Sequence, residues 1–143
     1  MTAGQAFIAG HDLSSERSEI ATCIGVCPQH DLLWDKLTGR DHLEFYGCLK
    51  GLEDALLTAA IDEGLRMVNL FHVGDKRVSS YSGGMKRRLS VAMSLIGNPE
   101  VVFMDEPSTG MDPASRRALW SAIQHAKKDK VIVLTTHYMV SIS

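Results

Sequence analysis

Long apolar runs are missing from the sequence. No stretch approaches the ~18 residues of a spanning helix, and the N-terminus lacks the basic-then-apolar order of a secretory signal, so the chain reads as cytosolic. An excess of one charge is missing too. Lys and Arg number 15 against 17 Asp and Glu, a formal charge of -2, and without a basic run nucleic acid is not expected as a partner. Cysteine is scarce and odd in number, at positions 23, 27 and 48, which argues against a disulfide framework. Cys23 and Cys27 with His30 would form a metal set only if a second ligand pair at zinc-like spacing existed. None does, and the simpler reading is small apolar residues buried along a strand. Internal repeats and low-complexity linkers are absent as well.

What is present suits one packed domain, or a piece of one. At 143 residues, 45% apolar and 22% charged, the chain can bury a core and is neither disordered nor fibrous. Gly4 to Gly10 and Ala21 to Cys27 are short apolar segments bounded by turn residues, and both read as strands of a partly buried sheet. Thr38 followed by Asp41 resembles a capping box, which predicts a helix starting near Gly39. Leu57, Ala60, Ile61, Gly64, Leu65 and Val68 share one helical face, so residues 38 to 70 read as all-helical. Met85, Leu89, Ala92, Met93 and Ile96 repeat that spacing up to Gly97 and Asn98-Pro99. Val101 to Met104 and Val131 to Leu134 are too short and apolar for helices and read as buried parallel strands. Between them Asp112 caps a helix opening at Pro113, with Leu119 and Ile123 one turn apart. Strand, helix, strand in that order is an α/β unit built on a parallel sheet.

The chemistry collects at the ends of these strands. Asp105 and Glu106 follow Val101 to Met104, at the carboxyl edge where open parallel sheets bind ligands. Two acids there suit a magnesium nucleotide, with Asp105 on the cation and Glu106 polarising a water; an exposed acidic pair capping a turn is the alternative. Ser82, Gly83 and Gly84 precede a helix, where a hydroxyl and backbone N–H groups could converge on a phosphate, although the same triplet also makes an ordinary flexible helix entry. His137 and Gln29 follow strands and so also fall at the carboxyl edge, though each alone is a common loop residue.

Gln29, Tyr81-Ser82-Gly83-Gly84-Met85, Val101 to Glu106, Ser108-Thr109-Gly110-Met111-Asp112 and His137 stand in the order of an ATP-binding cassette (ABC) domain, which the chain resembles over nearly its whole length. Segments 25–52, 81–99 and 104–120 are similar to the A subfamily, particularly its plant members, with Tyr81 and Met85 where the wider family has Leu and Gln. The resemblance implies a P-loop NTPase-like α/β fold with an inserted helical subdomain. Residues 1–29 and 98–143 would form the sheet core, and 30–97 the helical subdomain with the signature helix. It also implies ATP and Mg2+ as cofactors. Gln29, Glu106 and His137 would act in catalysis, Asp105 and Gln29 on the metal, and Ser82, Gly83, Gly84 and Asp112 on nucleotide. Expected partners are a second nucleotide-binding domain, whose ATP the Ser82–Gly84 signature would meet, and a transmembrane domain. Leu32, Leu33 and Trp34 would line the groove for the latter's coupling helix, or else pack within the helical insert. The resemblance further implies transport, associated in these members with lipids, on the cytosolic side of a membrane.

One element is missing from the pattern. The phosphate-binding loop needs G-x-x-x-x-G-K-[ST], and no Gly-Lys pair occurs in the sequence. The chain therefore reads as an interior slice that, alone, holds ATP poorly, is inactive, and is marginally stable or prone to aggregate. Two other readings stand beside a transporter ATPase domain. One is a non-catalytic module pairing with an intact domain. The other is a soluble cassette ATPase, which predicts basic surfaces or long arms that the sequence does not show.

Overall fold

A computed structural model describes residues 4–136. Its centre is a three-stranded parallel sheet of β3 (Ile24–Cys27), β4 (Val101–Asp105) and β5 (Val131–Thr135), with β4 in the middle. Each crossover is helical, as parallel pairing demands. Between β3 and β4 run α2 (Gly39–Leu49), α3 (Asp54–Met67) and α4 (Gly83–Leu95); between β4 and β5 runs α5 (Pro113–Ala126). The α/β parallel class read from the sequence is thus the class observed.

The N-terminal segment corrects two expectations. Residues 4–10 do not join the sheet. They contribute β1 (Phe7–Ile8), which pairs antiparallel with β2 (His11–Asp12) in a separate two-residue hairpin, turned by Ala9 and Gly10 at φ 51° and 82°. Residues 21–23 are not strand but the end of α1 (Arg17–Cys23), whose buried Ile20 anchors it.

Local chemistry explains where α2, α4 and α5 begin. Thr38 Oγ1 accepts the Asp41 amide at 3.1 Å while Asp41 Oδ2 accepts the Thr38 amide at 2.8 Å, a reciprocal capping box for α2. Ser82 Oγ caps α4 through the Met85 amide at 3.2 Å, and Asp112 Oδ2 caps α5 through the Ser115 amide at 2.9 Å, with Pro113 in the first turn.

The sheet has two unlike faces. Rows Gly25–Val102–Ile132 and Cys27–Met104–Leu134 pack inward, with Val91, Leu95, Leu119, Ile123 and Ala126 among the side chains covering them. The intervening row Val26–Phe103–Val133 faces outward, and Val26 is 57% exposed. Gly25 is required by close approach, because a Cβ there would collide with the Ser94 carbonyl oxygen of α4. A second core lies among the helices, where Leu43, Ile61, Leu65, Val68 and Leu70 meet Leu89, Ala92 and Met93 of α4 and Ile96 just beyond its end. One helix therefore serves both cores, with Val91 and Leu95 toward the sheet and Leu89, Ala92 and Met93 toward α2 and α3. Among the described residues, no helix is long and apolar enough to cross a membrane.

Candidate functional site

The carboxyl edge of the sheet carries the acidic pair. Asp105 ends β4, is exposed, and its carboxylate accepts the hydroxyl of Thr135, its register partner on β5. Glu106 then turns sharply at φ 46°, a left-handed conformation that costs a non-glycine residue roughly 1–3 kcal/mol. Its amide donates to Thr135 O at 3.0 Å, and its carboxylate, on a residue only 8% exposed, accepts Thr109 Oγ1 at 2.8 Å. The pair is thus split: one carboxylate faces solvent at the strand end and the other is held inside by the next turn.

Gln29 lies two residues beyond Cys27, whose pairing with Met104 is the last rung between β3 and β4, and it is exposed. The segment containing it is tied to the acidic turn by a residue that the spacing of the sequence did not single out, Arg87 of α4. Its guanidinium donates to the carbonyls of Pro28, Asp105, Glu106 and Pro107 and to Asp31 Oδ1, which also accepts Ser90 Oγ at 2.8 Å. Within the Arg-Arg doublet at 87–88, apolar periodicity offers no hint of burial, since position 87 falls outside the stripe of Met85, Leu89 and Ala92. Thr135 is likewise unsignalled, whereas Thr109 stands within the motif at 108–112.

Ser82, Gly83 and Gly84 gather with Asp112 at the N-termini of α4 and α5. Ser82 and Gly83 are exposed, and a side chain added at Gly83 would enter open space. Gly84 differs, because a Cβ there would come within 2.8 Å of Ser115 Cβ and 3.4 Å of Asp112 Oδ1. The hydrogen bonds from Ser115 hold the Asp112 carboxyl below the usual carboxylate range. His137 lies outside the described residues.

Cys27 sits in the sheet core, where burial pushes its thiol up to about 11, while Cys48 is exposed. Among the described residues no group of three or more His, Cys, Asp or Glu is placed to hold a metal ion. Asp105 and Glu106 are two acids, a number that suits Mg2+, which keeps several waters and takes substrate phosphates as its other ligands. A Gly-Lys phosphate cradle is not in the sequence. These two carboxylates fit the metal ion that a nucleotide would bring.

Residues 1–109 match the ABC transporter family. The chain is 62% identical over 140 residues to ABC transporter A family member 8 of Arabidopsis thaliana, an alignment covering 96% of this chain and 16% of that protein. It is 61% identical to member 3 and 60% to member 7 of the same organism, in each case over 96% of this chain and 15% of the relative. The chain thus spans about a sixth of the length of these curated relatives. With that match and its motifs in order along a parallel α/β core, the chain belongs to the ABC transporter family, as part of a nucleotide-binding domain of the A-family type.

Proposed function

We propose that these residues form part of the ATP site of a transporter motor that hydrolyses Mg-ATP to move a substrate of lipid class across a membrane. The observation that carries the reading is the split acidic pair at the end of β4, with the Gln29 segment tied beside it. In this reading Asp105 and Gln29 hold the cation. Glu106 takes a proton from the attacking water, with Gln29 and His137 orienting that water and the terminal phosphate. Bound Mg2+ would supply charge neutralisation on the phosphates. Ser82 and the amides of Gly83 and Gly84, with Asp112 beside them, would face ATP held by a second nucleotide-binding domain. Among the described residues, 24–29 and 98–136 then act as the sheet core, with the N-terminal hairpin and α1 beside it, and 30–97 as the helical subdomain.

A membrane partner is supported by an open apolar face. Leu32 and Trp34 are exposed, and Trp34 meets Phe45 edge-on at 5.4 Å. We propose that this face receives a helix of the transmembrane domain, placing the chain at the cytosolic side of a membrane.

A second reading rests on the exposed Ser82 and Gly83 at the start of α4, in which the 143 residues act in trans by lending Ser82, Gly83 and Gly84 to an intact domain. Calorimetry with Mg-ATP on the chain, and with an intact A-family nucleotide-binding domain added, tests both. The expected result is no micromolar binding by the chain alone and ATP-dependent association with the intact domain, lost in Ser82→Arg. Micromolar binding by the chain alone would show that other residues cradle the phosphates. No association in either protein would remove the role given to Ser82 and Gly83.

A further inference from the structure

Arg87 is 5% exposed, and each of its five N–H groups meets an acceptor. Nε donates to Pro107 O at 3.0 Å. Nη1 donates to Pro28 O at 2.6 Å and Asp31 Oδ1 at 3.1 Å, and Nη2 donates to Asp105 O at 2.8 Å and Glu106 O at 3.2 Å. The placement of these acceptors is informative. The β3–β4 ladder ends at Cys27–Met104, and the carbonyls Arg87 takes belong to the residues that follow, Pro28 on one strand and Asp105, Glu106 and Pro107 on the other. Beyond the last rung, where backbone pairing stops, the guanidinium continues the sheet with side-chain bonds.

We propose that Arg87 is a positioning residue that fixes the Gln29 segment relative to Asp105 and Glu106, a role that rests on the reading of this edge as the metal–nucleotide site. The planar fork is what the geometry uses. Nη1 serves the β3 side while Nη2 and Nε serve the β4 side, so the two segments are held apart by the width of one rigid group. An ammonium offers three donors from a single atom and cannot span both sides. The role also couples α4 to the site, because Arg87 lies one turn from Gly84 at the start of the same helix.

The test uses the full 143-residue chain, labelled with 15N, as Arg87→Met, Arg87→Lys and, as control, Arg88→Met, whose guanidinium instead caps Val68 O and Asn69 O. In the unaltered chain the Arg87 Hη protons should be individually resolved and slow to exchange. In Arg87→Met, backbone order parameters at 29–31 and 105–109 should fall from about 0.85 toward 0.6 while those of α3 hold. Arg87→Lys should fail to restore both segments together, whereas a group acting by charge alone would be rescued by Lys. Mn2+ affinity, read by broadening of the Asp105 and Glu106 amides, should fall about 10-fold in Arg87→Met and not in Arg88→Met. Averaged Hη signals in the unaltered chain, full rescue by Lys, or unchanged order at both segments would overturn the proposal. Should Arg87→Met not fold, the Hη signals and the Lys variant decide it. If the unaltered chain binds no Mn2+ at Asp105 the reading of the site fails instead, and the order parameters still judge Arg87.

Discussion

His42 holds Trp34 in two ways: its Nε2 accepts the Trp34 amide at 2.9 Å, and its ring stacks on the indole at 5.4 Å between centroids. Because Nδ1 lies 2.7 Å from the Thr38 carbonyl, which only accepts, Nδ1 carries the proton and Nε2 is free to receive. A buried imidazole on α2 thus sets the loop bearing the exposed Leu32 and Trp34. His42→Phe keeps a ring for stacking but strands the Trp34 amide. A loss of about 1–3 kcal/mol is expected in urea unfolding, with a red shift of Trp34 emission. An unchanged midpoint would mean that stacking alone orders the loop.

Gly83 and Gly84 should respond to alanine in opposite ways. Gly84→Ala drives a methyl into Ser115 and should cost about 1–3 kcal/mol, whereas Gly83→Ala meets nothing and should leave the unfolding free energy within about 1 kcal/mol of wild type. Equal effects at the two positions would contradict the close approach of α4 and α5. The pair also separates fold from ligand, since only the Gly83 variant tests backbone access without disturbing packing.

Cys27 gives a pH signature. Its folded thiol is raised to about 11 from an ordinary 9.0, so on alkalinisation the unfolded chain releases this proton first. The contribution is therefore complete below pH 9 and declines as pH rises toward 11, by an order of 2 kcal/mol. Cys27→Ala, though less stable, should lose stability less steeply across that window in denaturant titrations. Thiol reagents at neutral pH should label Cys48 first and Cys27 last.

The α2 cap gives the opposite slope. The Thr38 amide holds the Asp41 carboxyl below its ordinary 3.8, so its stabilisation is present above that value and is lost as acid protonates the folded form. Asp41→Ala, which removes the carboxylate and leaves the Thr38 amide without its acceptor, should cost about 1–3 kcal/mol at neutral pH. As pH falls below 3.8 the difference should shrink. A difference independent of pH would mean that Asp41 does not answer the cap.

Some of this was legible in the sequence for identifiable reasons. The starts of α2, α4 and α5 announce themselves because a capping side chain precedes a periodic apolar face, and the place of Asp105 and Glu106 at a strand end follows from the apolar run before them. The helix α1 is hidden because the residue at its N-cap, Glu16, makes no side-chain cap bond and its last residues run into β3 as one apolar string. The hairpin at residues 7–12 was mistaken for sheet because an apolar dipeptide beside a turn reads the same in either setting. Arg87 was invisible for a different reason: its burial is decided by carbonyls 18 to 59 residues away, and no local pattern encodes them.

The 13 residues of α4 connect the signature turn at Ser82 to the junction of both cores at Ile96. Such a helix is about 20 Å long, so a tilt of about 5° pivoting at its far end moves Ser82 by about 2 Å. Mechanically it is a lever whose fulcrum is shared by the sheet and the helical layer. Because Arg87 ties α4 to the sheet edge one turn from that tip, a displacement of the edge is carried to Ser82 without unfolding a single turn.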